Sequence, residues 1–150
     1  MLNIRGATRK DAESLHDLYL NHLARHPSTE PQDMEIWRDK ITGFEENSLY
    51  HLIVGEIDGR VVSSLSLIVI ENLTYNLQPY AIIENVVTHA DCRGRGYATM
   101  LMNRASEIAK SLNCYKIMLL TSSKKDSTLS FYENCGFDRN EKTGFIKRLM

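Results

Sequence analysis

The stretch Ile82-Ile83-Glu84-Asn85-Val86-Val87-Thr88, followed by His89-Ala90-Asp91-Cys92-Arg93-Gly94-Arg95-Gly96-Tyr97-Ala98, decides the fold of this chain. It reads as an apolar strand, a short basic glycine turn and the start of a long helix. Apolar residues then follow the three-and-four spacing of one helix face, at Ala98, Leu101, Met102, Ala105, Ile108, Ala109 and Leu112. The sequence therefore predicts a strand, a turn and a helix in direct succession.

The glycine turn has the chemistry of a phosphate site. Where the helix begins, several backbone N–H groups lack an intrahelical partner, and the helix dipole adds about half a positive charge. Gly94 and Gly96 have no side chain that would keep a ligand away, and Arg93 and Arg95 add forked donors suited to phosphate. The dinucleotide-binding pattern fits poorly, because Thr99 stands at its third glycine position, and no Gly-Lys-Ser/Thr of a phosphate-loop NTPase follows.

Length and composition describe one ordinary globular domain over residues 1–150. Charged residues make up 25% of the chain and the net charge is −1, which gives no general attraction to nucleic acid or membranes. No apolar run approaches the ~20 residues needed to span a bilayer. The scattered cysteines Cys92, Cys114 and Cys135 are expected to be reduced thiols in a cytoplasmic protein, and no Cys/His cluster has the spacing of a metal site.

Hydrophobic periods and turn signals predict the remaining elements. Before the central stretch we expect a strand at residues 3–7, helices beginning at Thr8 and Asp33, and a hairpin of strands 48–55 and 60–70 around Asp58-Gly59. The second helix is expected to end near Gly43. After the central stretch we expect a buried strand at 115–121, a helix at 127–134 ended by Gly136, and a last strand at 143–149.

These elements give an α/β fold in the order β-α-α-β-β-β-α-β-α-β, with a mixed, centrally parallel sheet flanked by helices. The polar loop at residues 72–79 is a candidate for substrate contacts, as such loops often are. His22, His26 and Trp37 in the first two helices are candidates for a substrate pocket.

Glu84 and Asn85 interrupt a strand that otherwise reads as buried on both faces. An unpaired buried carboxylate is costly, so Glu84 is paired with a structural Arg or Lys, kept protonated, or facing a cavity. We interpret it as a general base in a cleft beside the glycine turn. Asn85 faces the other way on an ideal strand, and we interpret it as a structural hydrogen-bonding residue.

Two motifs together resemble the GNAT superfamily of acyl-CoA N-acyltransferases. The first is Arg-x-x-Gly-x-Ala at residues 93–98, and the second is Phe131-Tyr132-Glu133-Asn134-Cys135-Gly136-Phe137, about 40 residues later. By periodicity alone the second motif is an aromatic helix face, but the two at this separation are far more specific than either one. Ile83-Glu84-Asn85 and Asn113-Cys114-Tyr115-Lys116-Ile117 are also similar to the glucosamine-6-phosphate N-acetyltransferase branch.

The resemblance implies an N-acetyltransferase that uses acetyl-CoA and no metal. Backbone amides of the turn would hold the coenzyme A pyrophosphate; these residues are Arg93, Gly94, Arg95, Gly96, Tyr97 and Ala98. The strand that carries Val86 and Val87 would separate from the 115–121 strand, admit the pantetheine arm and polarise the thioester carbonyl. An Asn that contacts the coenzyme in the family is missing here, and Lys125, Asp126 or Ser127 stands nearby instead.

The implied chemistry is direct attack by a primary amine of a small molecule, without an acyl-enzyme. Such an amine is mostly ammonium at neutral pH and must lose a proton first. Glu84 is the first candidate to accept that proton and His89 the second, while Tyr132 would give a proton to the departing thiolate. Dimers are common among such enzymes, so a homodimer is the expectation.

Two alternative functions stay open at the level of sequence. A protein N-terminal acetyltransferase would need an open groove for a peptide. A non-catalytic acyl-CoA-binding sensor would bind the coenzyme without turnover.

Overall fold

The computed structural model describes the whole chain, Met1–Met150. Its elements are β1 (Asn3–Gly6), α1 (Ala12–His22), α2 (Met34–Glu46), β2 (Tyr50–Ile57), β3 (Arg60–Ile70), α3 (Thr74–Leu77), β4 (Tyr80–Thr88), α4 (Tyr97–Ser111), β5 (Ile117–Leu119) and α5 (Asp126–Asn134). Short 3₁₀ turns, Arg9–Asp11 and Ala90–Cys92, precede α1 and follow β4. No helix combines the length and apolar character needed to cross a membrane.

The five strands form one mixed sheet in the order of the chain. Neighbouring strands are antiparallel from β1 to β4, whereas β4 and β5 are parallel and connected through α4. The β2–β3 hairpin turns at Asp58 and Gly59, whose φ angles of 49° and 79° are those of the tight turn that Asp-Gly predicts. The predicted mixed sheet flanked by helices is confirmed, and its parallel pair lies at one edge of the sheet.

Helices cover both faces of the sheet because each has one apolar stripe. On one face, α4 buries Leu101, Met102, Ala105 and Ala109 against sheet residues that include Val62, Leu65, Leu67 and Ile83. On the other face, α1 and α2 bury Ala12, Leu15, Leu18 and Ile41 against Leu52, Val54 and Val61. The three-and-four spacing of the long helix therefore describes its buried face.

The strand predicted at residues 143–149 is absent from the single chain. No regular element follows α5, and Phe145, Ile146 and Leu149 are 90%, 67% and 88% exposed. A strand needs a neighbouring edge to pair with, and a sequence pattern does not say whether the chain supplies one. β5 consequently stays the edge strand, and it is three half-buried residues long rather than the seven buried ones expected.

Two smaller expectations also change. α2 continues past Gly43 to Glu46, since one glycine inside a helix costs only about 0.5–1 kcal/mol. The 72–79 loop contains the single turn α3, whose Tyr75 and Asn76 have left-handed φ angles of 53° and 57°. The ring of Tyr75 stacks on Tyr115 at a centroid distance of 4.4 Å, which places the loop beside the residues that lead into β5. Its substrate contacts stay a prediction.

Candidate active site

The two parallel strands separate halfway along β4. Pairing joins Ala81, Ile82 and Ile83 to Ile117, Met118 and Leu119, and no strand pairing continues beyond Ile83 on this side. β4 runs on to Thr88 while β5 ends at Leu119. A gap therefore opens beside residues 84–88, where backbone groups of β4 that point towards β5 have no strand partner.

A β-bulge sits at the point where the strands separate. On the β3 side, Ser66 is paired with Glu84 and Ser64 with Val87, so Leu65 alone faces the two residues Asn85 and Val86. Asn85 has a left-handed φ of 55°, a conformation that Asn adopts more readily than most residues. The extra residue interrupts the regular alternation of side chains between the two faces of the sheet after Ile83.

The bulge explains the polar residues of the strand. Glu84 and Asn85 are both exposed, although the strand was expected to be buried on both faces. Of the three possibilities for Glu84, the structure supports an open cleft, since the carboxylate forms no ion pair in the chain. The interpretation of Asn85 as a structural hydrogen-bonding residue is wrong, because its exposed amide lines a cavity.

The glycine turn ends in a bare helix N-terminus. Gly94 and Gly96 have left-handed φ angles of 75° and 81°, and Gly96 is the N-cap of α4 without any side-chain cap. A Cβ built on either glycine would meet no protein atom within 4 Å. The first N–H groups of α4 are therefore unpaired and face open space, as an anion site requires.

The two arginines of the turn differ in their contacts. Arg93 donates from Nε to the carbonyl of Thr88 at 3.1 Å and from Nη2 to the carbonyl of His22 at 3.3 Å. Its guanidinium thus fastens the end of α1 to the end of β4, rather than standing free as expected. Arg95 is exposed and forms no ion pair, so its charge remains available to a ligand.

α5 brings Tyr132 to the gap. Burial raises the pKa of the Tyr132 phenol, and the nearby Cys135 and Glu84 raise it further, so the phenol lies within electrostatic reach of the carboxylate. Gly136, with a φ of 96°, ends the helix as predicted, and the Phe137 N–H donates to the carbonyl of Tyr132 at 3.1 Å. Tyr132 therefore senses the charge of Glu84 although 48 residues separate them in sequence.

Cys135 links α5 to the start of α4. Burial raises the pKa of its thiol, and the neighbouring Thr99, in the first turn of α4, opposes that shift. The end of α5 therefore lies near the start of α4. The remaining predicted site residues vary in exposure: Val87 is buried, Val86, Tyr97 and Ala98 are half-buried, and Ser127 is exposed.

The second candidate base, His89, is engaged elsewhere. Its Nε2 lies 2.7 Å from Nη2 of Arg60, and its ring centroid is 4.0 Å from that of His22. His22 belongs to this contact, and His26 is exposed between α1 and α2. Of the three pocket candidates in the first two helices, Trp37 lines a well-formed cavity.

That cavity, of about 310 Å³, lies between α1, α2 and the sheet. Its lining residues are Leu15, Tyr19, Ile36, Trp37, Lys40, Ile41, Phe44, Tyr50, Leu52, Ser66 and Asn85. Sequence reasoning missed the aromatic members other than Trp37, because their spacing is equally that of a core helix face and a core strand. A larger cavity of about 570 Å³, between β1, β2 and the end of α4, contains none of the predicted site residues.

No group of three or more His, Cys, Asp or Glu side chains is arranged to hold a metal ion.

Comparison with known proteins gives consistent results. Residues 12–137 match the family described as "Acetyltransferase (GNAT) family". A glucosamine 6-phosphate N-acetyltransferase from Trypanosoma brucei brucei is 37% identical over 84 residues, which are 56% of this chain and 55% of that protein. The chain thus spans about half the length of this curated relative.

Solved structures extend the likeness to the whole chain. A chain from Agrobacterium tumefaciens str. C58, provisionally described as an acetyltransferase, is 36% identical with a TM-score of 0.83, covering 97% of this chain and 99% of that one. Glucosamine-6-phosphate N-acetyltransferase from Arabidopsis thaliana has a TM-score of 0.85 over 100% and 99% of the two chains. At 20% identity, the Arabidopsis structure shows a shared fold.

Proposed function

Because the chain belongs to the GNAT family of acetyltransferases, we propose that it transfers an acetyl group from acetyl-CoA to the primary amine of a small molecule. The observation that carries this proposal is the gap between β4 and β5. A bare helix N-terminus lies at one end of it, and a carboxylate and a phenol lie beside it. Names of relatives that act on glucosamine 6-phosphate support a small-molecule acceptor.

In this proposal the glycine turn holds the coenzyme. Backbone N–H groups of residues 93–98 bind the pyrophosphate. The guanidinium of Arg95 adds a positive charge whose donors, unlike those of Arg93, are not engaged by backbone carbonyls. The pantetheine arm lies in the gap along Val86 and Val87, where it takes the place of the missing strand. Ser127, exposed in the first turn of α5, is within the segment proposed to contact the coenzyme.

Direct transfer requires three proton movements. Glu84, directly or through water, takes a proton from the ammonium, and the free amine attacks the thioester carbon. Backbone N–H groups near Val86 and Val87 stabilise the oxyanion that forms. The C–S bond then breaks, and the thiolate receives the Tyr132 proton. The nitrogen loses its second proton as it becomes an amide, and that proton returns the phenolate of Tyr132 to the phenol. Burial keeps that phenol protonated at neutral pH, so it is always available as a donor.

We also propose that the protein is a cytoplasmic homodimer. All three cysteines are free thiols, as is usual in a reducing compartment. Residues 143–149 have the pattern of a strand but no partner, and the outer edge of β5 is unpaired. If two copies exchange these segments, residues 143–149 of each copy pair with the free β5 edge of the other. This is the reciprocal arrangement of a two-fold interface.

Tyr132→Phe tests the mechanism. We expect kcat to fall by about 100-fold or more, the usual contribution of a positioned proton donor, with an unchanged Kd for acetyl-CoA. Turnover is followed by thiol release with a panel of small amines and N-terminal peptides, and Kd by calorimetry. Tyr80→Phe, at the start of β4, is the matched control. Unchanged turnover in Tyr132→Phe would remove the phenol from the mechanism, and coenzyme binding without thiol release on any acceptor would favour a sensor.

A further inference from the structure

The cavity between α1, α2 and the sheet has a composition that indicates its ligand. We propose that it seats the apolar or aromatic body of the acceptor, so that the acceptor is an arylalkylamine-like primary amine and not a phosphorylated sugar. This inference rests on the proposed function, since it names the substrate class of that same site.

The cavity reaches the bulge between β3 and β4. Asn85 and Ser66 form part of its lining, Ser66 is the strand partner of Glu84, and Asn85 follows Glu84 in the chain. A ligand whose polar end lies at these two residues is therefore next to the strand position that carries the carboxylate. At 310 Å³, the cavity lies at the small end of the about 300–1,000 Å³ range of ligand pockets, which suits one ring and a short chain.

The walls of the cavity are mostly apolar. Eight of its eleven lining residues are hydrophobic, and four of them are aromatic. Phe44 and Tyr50 stack at a centroid distance of 3.8 Å, and Tyr19 lies 6.1 Å from Trp37. The ring of His16 packs edge-on against Trp37 at 5.0 Å and holds it in place. Such walls fit a flat hydrocarbon surface and leave sugar hydroxyls without partners.

Polar groups are concentrated at the sheet end. Tyr50 donates its hydroxyl proton to Oγ of Ser66 at 3.2 Å, and the half-buried Tyr19 lies near Ser64 and Ser66. The exposed amide of Asn85 has no partner in the chain, and its oxygen can accept a hydrogen bond from an ammonium group. The cavity thus has one polar end and one apolar end, as does a hydrophobic primary amine.

Charge argues against a phosphorylated acceptor. A phosphate monoester carries about −1.5 to −2 charges at neutral pH and is usually met by several Arg or Lys donors. Lys40 is the only cation in the lining. Arg9 and Arg38, the arginines of the neighbouring surface, are held by carboxylates: Arg9 by Glu35 at 2.8 Å, and Arg38 by Glu35 and Glu13.

The chain carries its own probe of this cavity, because Trp37 is its only tryptophan. With coenzyme A present, titration with 2-phenylethylamine should change the emission of Trp37 saturably, and glucosamine 6-phosphate at the same concentrations should not. This readout needs neither turnover nor a variant. The absence of any change with 2-phenylethylamine, or a saturable change with the sugar phosphate alone, would overturn the inference.

Steady-state kinetics separate this inference from the proposed function. We expect kcat/KM for 2-phenylethylamine to exceed that for glucosamine 6-phosphate and spermidine at least tenfold. Trp37→Ala should raise the KM for the arylalkylamine at least tenfold with unchanged Kd for acetyl-CoA, Trp37→Phe should restore it, and Leu112→Ala at the far end of α4 should match wild type. Faster turnover of the sugar phosphate would overturn the inference and keep the transferase. A fluorescence change without thiol release would keep the ligand class and overturn the transferase.

Discussion

Gly96→Ala is expected to destabilise the protein through backbone strain alone. Gly96 has a φ of 81°, and an added Cβ would meet no atom within 4 Å, so no steric clash contributes. A left-handed conformation costs a non-glycine residue about 1–2 kcal/mol. For a chain of this size, that lowers Tm by about 2–8 °C. If the turn of the variant relaxes to avoid the strain, the coenzyme must restore the left-handed conformation when it binds. The free energy that this costs should raise the Kd for acetyl-CoA by roughly 5–30-fold.

Gly43→Ala is the matched control for this change. Gly43 also has open space around its Cβ position, but it lies inside α2 with no left-handed φ. Alanine there should stabilise the protein by about 0.5–1 kcal/mol. Urea unfolding measures both variants, and calorimetry with acetyl-CoA measures Kd. Equal stability of Gly96→Ala and wild type, together with an unchanged Kd, would refute the left-handed turn as the coenzyme site.

Asp11 should make the stability of the fold depend on acid. Burial raises the pKa of its carboxyl, but hydrogen bonds from Arg5 at 2.7 and 2.9 Å and from the N–H of Thr8 at 2.8 Å outweigh burial and hold the pKa below its ordinary value of 3.8. Its contribution is therefore fully present above about pH 4 and decreases progressively as the pH falls towards the lowered pKa. Asp11→Asn should cost about 1.5–3 kcal/mol in urea unfolding at pH 7 and less at pH 3. Equal costs at the two pH values would contradict this pairing. Phe145→Asp should convert a dimer to a monomer in light scattering, while Leu73→Asp, at a similarly exposed residue outside the segment, should not. A dimer that survives Phe145→Asp would exclude exchange of the C-terminal segment.

Features that depend on neighbours in sequence could be predicted from the sequence. The buried face of α4 follows from residue spacing, and the β2–β3 hairpin follows from Asp58-Gly59, because both are decided within one helix or one turn. The glycine turn before α4 belongs to the same class. Its two glycines adopt the left-handed conformations that only glycine adopts without strain.

The tertiary structure alone decided the features that join distant parts of the chain. The bulge exposes Glu84 because β3 and β4 pair out of step, and the pairing partner Ser66 is 18 residues away. Arg93 is turned towards carbonyls by the end of α1, and residues 143–149 form no strand although the outer edge of β5 is unpaired. The aromatic cavity likewise forms only where α1, α2 and the sheet meet. Local sequence fixes which conformations a segment prefers, but exposure, partners and cavities depend on what the rest of the folded chain places beside it.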